Sequence, residues 1–306
     1  MEKPVTEQIL DFALSSNGYS LDGSPQRLGW LAPTSPALPM ADLREIYRAQ
    51  GYLWLKQLLP REKVLAYRRR YFSNFLGTGL LDENRDPFEG IYSGGPEDRA
   101  LNNKALMTTV RTAAFESFCL MDEIWMFYEQ FLEGAPYLHK RKITRHTRPQ
   151  DKNCTGAHYD LVYLRGGTDR ICTSWIPIGD TPVELGGLIY LEGSDAWGRQ
   201  NEAEYREKAK TLSPEETLSA YNRYMDTTGW ISKDLPALAE RLDTRWLMAN
   251  YEAGDMVVHS PYMVHASTVN LAGDGRMRLS TDIRYQRVQD EIDARWQNHW
   301  SLDDML

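Results

Sequence analysis

Cysteine is scarce in this chain: Cys119, Cys154 and Cys172 are its three, in 306 residues. So few, spaced so widely, exclude a disulfide framework and a zinc finger, and predict reduced thiols in a cytoplasmic protein. Long apolar runs are missing too. Nothing approaches the ~18 residues that a membrane span needs, and the N-terminal MEKPVTEQILDFALSS lacks the basic-then-apolar order of a secretory signal. The last residues, Asp304-Met305-Leu306, are not a Ser-Lys-Leu address. Positive charge is short as well, with 35 Lys and Arg against 43 Asp and Glu and a net charge of −8, which argues against a nucleic-acid partner. Gly77-Thr78-Gly79 and Gly94-Gly95 lack the Lys-Ser/Thr of a phosphate loop and the strand–helix setting of a dinucleotide fold.

An apolar fraction of 42% and a charged fraction of 25% remain, which suffice for a sizeable core. Residues 1–40 carry Ser, Pro and Gly clusters without sustained periodicity and are expected to form an irregular arm. From 41 to 136 helical and strand patterns mix into a buttress. Ala41–Gln50 is a helix stopped by Gly51, Tyr52–Leu55 a strand, Pro60 the start of a second helix, and 77–104 a long loop. Phe115, Phe118, Ile124, Phe127, Tyr128 and Phe131 have the spacing of one helix over 112–132. Strand signals dominate 137–290, interrupted by charged helical stretches over 195–245 that would cover one mouth of the β-structure. The pattern predicts a single α+β, mainly β, domain over 1–306 whose core is a two-sheet jelly roll.

His158-Tyr159-Asp160 is the motif with chemistry in it. On a strand, residues i and i+2 face one way, so one strand could offer an imidazole and a carboxylate to one metal ion. A second imidazole from elsewhere would complete a 2-His-1-carboxylate triad with three open positions. Alone, the spacing also fits a structural histidine beside an unrelated surface aspartate. The C-terminal half adds His265-Ala266-Ser267, Asn270, a Gly-Asp-Gly turn, and Arg276-Met277-Arg278-Leu279-Ser280. His259 competes with His265 as third ligand, although Pro261 interrupts the strand between them. Arg278 competes with Arg276 as the anchor for an anion, since both share one face of a strand and an arginine fork matches a carboxylate.

The ordered set of Gly51-Tyr52-Leu53-Trp54-Leu55, His158-Tyr159-Asp160, Gly186-Gly187-Leu188, Gly193-Ser194, Gly254-Asp255, His265-Ala266-Ser267 and Arg276 with Ser280 resembles the phytanoyl-CoA dioxygenase-like family of iron(II)/2-oxoglutarate-dependent oxygenases. The resemblance runs from about Glu45 to Tyr285. It implies a double-stranded β-helix (cupin-like) core, with Fe(II), 2-oxoglutarate and O2 as cofactor and cosubstrates. It also implies His158, Asp160 and His265 as metal ligands, and Arg276 on the distal carboxylate of 2-oxoglutarate. Ser267 would bond the same carboxylate, with Trp175 and Thr155 in its pocket. Glu184-Leu185-Gly186 departs from the family's Glu-Asn-Gly, which puts one polar contact of that pocket in doubt. The expected reaction is hydroxylation, with desaturation, epoxidation or rearrangement open to the same oxidant, on a small, largely apolar intermediate of secondary metabolism. Tyr92, Trp197, Tyr224 and Trp230 are candidates for its pocket. No membrane partner is expected, and a homodimer is allowed. The alternative is a catalytically silent jelly-roll protein that keeps a metal or ligand site without turnover.

Overall fold

Thirteen short strands and eight α-helices are found among the residues that the computed structural model describes, 10–213 and 230–301. Ser15–Ser16 (β1) and Tyr19–Ser20 (β2) form a small hairpin. Leu28–Trp30 (β3) and Pro33–Thr34 (β4) follow, then Met40–Gln50 (α1), Tyr52–Leu55 (β5) and Arg61–Ser73 (α2). Arg99–Thr109 (α3), Ala113–Cys119 (α4) and Asp122–Phe131 (α5) precede Pro136–Leu138 (β6) and Ile143–Thr147 (β7). A turn of helix, Leu161–Leu164 (α6), leads to Cys172–Pro177 (β8), Leu188–Leu191 (β9) and Ser194–Ala209 (α7). The chain closes with Leu235–Arg241 (α8), Trp246–Met248 (β10), Met256–His259 (β11), His265–Ser267 (β12) and Arg278–Arg287 (β13).

Two sheets face each other as a jelly roll, in agreement with the expected α+β, mainly β class. The larger runs β4-β5-β11-β8-β13-β6, with β7 also paired to β13; the smaller runs β12-β9-β10-β3. Strand alternation sorts the side chains. On β5, Tyr52 and Trp54 enter the layer between the sheets, whereas Leu53 and Leu55 pack outward beneath the helices. On β13, Leu279, Ile283 and Tyr285 join that helix-covered core, which leaves Arg278, Ser280, Asp282 and Arg284 on the opposite, inter-sheet face. On β12 and β9, Ala266, Ile189 and Leu191 go to a third apolar layer behind the small sheet, so His265 and Ser267 point inward. The inter-sheet space is therefore apolar at one end, around Trp175, Tyr190 and Tyr251, and polar at the other.

Three expectations need correction. The 1–40 arm contains β1–β4, and its β3 pairs in parallel with β10. Strands of two or three residues carry no readable period and form because a folded sheet offers them an edge. The 77–104 loop gives way to α3 at Arg99, capped by the Asp98 carboxylate on the Leu101 N–H. The single helix over 112–132 is two. Thr112 caps α4 through the Phe115 N–H, and Asp122 and Glu123 favour a fresh helix N-terminus at α5. Residues 214–229 of the charged helical stretches expected over 195–245, Tyr224 among them, lie outside the described residues. No helix among the described residues is long and apolar enough to cross a membrane.

Candidate active site

His158, Asp160 and His265 come together, fully or nearly buried, with their ligand atoms all within 4.8 Å of one another. The route differs from the expected one. His158 makes a single bridge to His265, each backbone N–H donating to the other's carbonyl at 3.1 and 2.9 Å. After Tyr159 the chain leaves extended geometry, and Asp160 sits in helical conformation at the start of α6. The Leu161 N–H bonds the Pro261 carbonyl at 2.8 Å, which ties this turn to the segment before His265. The His-x-Asp pair thus converges through a turn, not along one strand face.

Both imidazoles are set up as ligands. His158 Nδ1 lies 2.9 Å from the Gly156 carbonyl and His265 Nδ1 lies 3.0 Å from the Met263 carbonyl, in each case two residues back. A carbonyl can only accept, so each Nδ1 carries the proton and each Nε2 keeps a lone pair. Those Nε2 atoms stand 3.8 and 3.9 Å from Asp160 Oδ1. Burial, and for His265 also the neighbouring His158 and His259, keeps both imidazoles neutral by pushing their pKa values down, for His265 well below the usual range. Burial alone would raise the Asp160 carboxyl. Arg284, His259 and His265 outweigh it and hold the group ionised, well below the usual carboxylate range.

The rest of the Asp160 environment was not foreseen as such. Arg284 donates to Oδ1 at 3.0 Å, and the Thr173 hydroxyl bonds Oδ2. His259 Nε2 is 3.4 Å from Oδ2, while its Nδ1 meets the Tyr190 hydroxyl at 3.1 Å. His259 is thus beside the site, on β11 of the large sheet, and faces the carboxylate's other oxygen. Thr173 and Arg284 share the inward parity of β8 and β13, which is the signal that could have pointed to them. Two neutral imidazoles and one fixed carboxylate, with proton positions already assigned, suit a mononuclear Fe(II).

A cavity of about 280 Å³ is lined among others by Arg145, Arg278, Thr155 and Ser267, the last two being three residues before His158 and two after His265. The Thr155 N–H donates to Ser267 Oγ at 2.9 Å, which leaves the hydroxyl proton of Ser267 free to bond a ligand. Along the small sheet His265 faces Tyr190 and Ser267 faces Leu188, and the Arg278 guanidinium reaches the Gly186 carbonyl just beyond. Ligand, hydroxyl and guanidinium therefore follow in that order beside Tyr190, Leu188 and Gly186.

Arg276 does not join this group. It precedes β13, is 38% exposed, and pairs with Asp274 at 2.5 Å and Glu184 at 3.4 Å. After the Gly-Asp-Gly turn Arg276 makes only an isolated bridge to Ile91, and the inward face of β13 begins at Arg278. That residue is fully enclosed, its Nε has no partner, and burial drops its pKa to about 10. Arg145 in the same cavity is neutralised by Asp282 at 2.7 Å, whereas no carboxylate among the described residues pairs with Arg278. Trp175 points inward but packs on Tyr251 at 4.7 Å and is not among the cavity's lining side chains. Of the pocket candidates, Trp197 packs edge-on against Tyr159. Trp230 lies so close to Gly156 that a Cβ there would come within 2.7 Å of its ring. Tyr92 is elsewhere, bonded to Glu97.

The family model of phytanoyl-CoA dioxygenase (PhyH) matches residues 47–278. This chain belongs to the phytanoyl-CoA dioxygenase family. It is an enzyme of the non-haem iron, 2-oxoglutarate-dependent oxygenase class. A 1-deoxypentalenic acid 11-beta-hydroxylase of Streptomyces exfoliatus is 24% identical over 275 residues, covering 81% of this chain and 83% of the relative. Among solved structures, a non-heme alpha-ketoglutarate-dependent carbocyclase from nogalamycin biosynthesis, SnoK, superposes with a TM-score of 0.54 at 17% identity, over 90% of this chain and 92% of its own. The epimerase SnoN, in complex with Fe3+, alpha-ketoglutarate and nogalamycin RO, gives 0.52 at 16% identity, over 83% and 85%. Both show that the jelly-roll fold is shared.

Proposed function

We propose that this oxygenase oxidises a small, largely apolar intermediate of secondary metabolism, with hydroxylation as the default outcome. What carries the reading is the triad: three ligand atoms converge with both histidine protons already committed to backbone carbonyls. The named activity of the Streptomyces relative supports hydroxylation of a compact organic acid. Ring closure and epimerisation, the activities of the two structural neighbours, keep other outcomes of the same oxidant in view.

His158, Asp160 through Oδ1, and His265 would hold Fe(II) in this reading. His259 and Thr173 engage Oδ2 and keep the carboxylate from rotating. Bound there, iron with 2-oxoglutarate and dioxygen supplies an oxidant that puts one oxygen atom into a substrate C–H bond, the other leaving in succinate as the cosubstrate loses CO2. Arg278 would bind the distal carboxylate of the cosubstrate, because a buried guanidinium with an unspent Nε and no carboxylate within ion-pair distance among the described residues calls for an anion. The Ser267 hydroxyl donates to that carboxylate and Thr155 fixes the hydroxyl. The apolar layer of Trp175, Tyr190 and Tyr251 excludes water from the far side.

Succinate release on a panel of small, largely apolar organic acids and other secondary-metabolite intermediates tests the proposal, with His158→Ala alongside. Product and succinate should form together in wild type and vanish in the variant. Succinate formation that survives His158→Ala would sink the assignment. Ligand binding without succinate from any member would favour the silent binding protein.

A further inference from the structure

Helix α7 touches both chain segments that bear the metal ligands. Its first two turns hold the stretch before His265. The Val264 N–H donates to Ser194 Oγ at 2.9 Å, the Ser260 hydroxyl bonds Asp195, and Arg199 lies over the Tyr262 ring at 4.3 Å. Eight residues on, about 12 Å along the helix, Glu202 holds the other segment. The Tyr159 hydroxyl, between His158 and Asp160 in sequence, donates to Glu202 Oε1 at 2.6 Å and accepts from Asn201 at 2.9 Å. Arg165, just past α6, donates to both oxygens of Glu202. Glu202 and Tyr159 are buried, and the Arg165 side chain is 6% exposed.

A buried ion pair is a poor way to add stability, because desolvation offsets most of the attraction. What such a pair does well is fix one geometry. Tyr159 packs into the apolar layer behind the small sheet, away from the metal. Its ring is packed in that layer and its hydroxyl is what α7 grips, so α7 holds the residue between His158 and Asp160 at the far end of its side chain. We propose that Glu202 is a positioning residue, which with Tyr159 and Arg165 couples the placement of helix α7 to the geometry of the metal ligands. The inference rests on the metal site proposed above. By reciprocity, metal binding must then steady α7 as much as α7 steadies the site.

Co(II) serves as the probe. Its affinity and visible absorption bands are measured for wild type, Tyr159→Phe, Glu202→Gln and His158→Ala, together with hydrogen exchange of the α7 amides with and without the metal. Tyr159→Phe removes one hydroxyl and should stay folded by circular dichroism. It should bind Co(II) about tenfold more weakly and lose the metal-dependent protection of α7 that wild type shows. Wild-type affinity, unchanged bands and intact metal-dependent protection in both Tyr159→Phe and Glu202→Gln would overturn the proposal and leave α7 a packing element. Should Glu202→Gln unfold because Arg165 loses this carboxylate, Tyr159→Phe decides alone. A wild type that fails to bind Co(II), or a His158→Ala that binds it equally well, would bring down the metal site as well as the coupling.

Discussion

Replacing Arg278 and Arg276 in turn discriminates between the inner and outer arginines as cosubstrate anchor. Arg278 is enclosed, spends one donor on the Gly186 carbonyl and keeps its Nε unpartnered. Losing a buried, fork-like arginine–carboxylate pair costs about 2–5 kcal/mol, and 1.4 kcal/mol is tenfold. Arg278→Met should therefore raise the KM for 2-oxoglutarate by at least about thirtyfold. Arg276 is 38% exposed and paired with Asp274 and Glu184, an arrangement worth about 0–1 kcal/mol. Arg276→Ala should thus change KM by less than about fivefold. Stability separates a binding defect from misfolding. Removing a buried cation that forms no direct ion pair among the described residues, while keeping its volume, should leave the thermal midpoint of the unliganded protein unchanged or higher. Arg278→Lys keeps the charge, loses the fork, and should fall between. Succinate release against 2-oxoglutarate concentration is the assay. A thirtyfold loss in Arg276→Ala with a near-normal KM in Arg278→Met would refute the reasoning and return the anchor to the outer arginine.

The two rival histidines should separate cleanly: His265→Ala abolishes Co(II) binding, whereas His259→Ala, which touches Oδ2, weakens it about 10–100-fold. Equal loss in both, read by titration, would make His259 a ligand. His139 is buried with its Nδ1 unpartnered, and burial brings its pKa from 6.5 to about 4. Between those values the unfolded chain binds a proton that the folded one does not, so stability is lost as pH falls from 6.5 to 4. His139→Gln should gain on wild type by about 3 kcal/mol between pH 7 and pH 4 in urea titrations, and a difference constant with pH would contradict the assignment. Gly186→Ala strains a backbone at φ +74 and drives a methyl to 2.4 Å from the Thr268 carbonyl. It should cost more than about 1 kcal/mol and raise the KM for 2-oxoglutarate through Arg278, and a neutral outcome on both measures would argue against that contact.

Local sequence was enough for several things. Gly51 stops α1 in left-handed conformation, with its N–H on the Tyr47 carbonyl, as its position after Gln50 implies. The alternation of Tyr52–Leu55 and of Arg278–Tyr285 sorts side chains between the two faces of a sheet, and that sorting survives folding. The residue types at 158, 160 and 265 also pointed to one metal, because two imidazoles and a carboxylate have few other reasons to recur in that order. What sequence could not supply is anything decided by how far a turn extends or which edge a strand finds. His158 and Asp160 converge through a bend whose shape is set by Pro261, Thr173 and Arg284, all distant in the chain.

Arg276 and Arg278 have the same parity and the same chemistry, so no local rule separates them. The inward face of β13 begins where its pairing with β7 begins, at Arg278 opposite Thr147, and that register is a property of two strands 131 residues apart. The same holds for Glu202, an unremarkable acid on a charged helix until packing places it under Tyr159. Periodicity and residue chemistry are carried by neighbours along the chain and can be read there. Proximity between distant segments is created by folding, and it chose which arginine, which histidine and which carboxylate stand at the site.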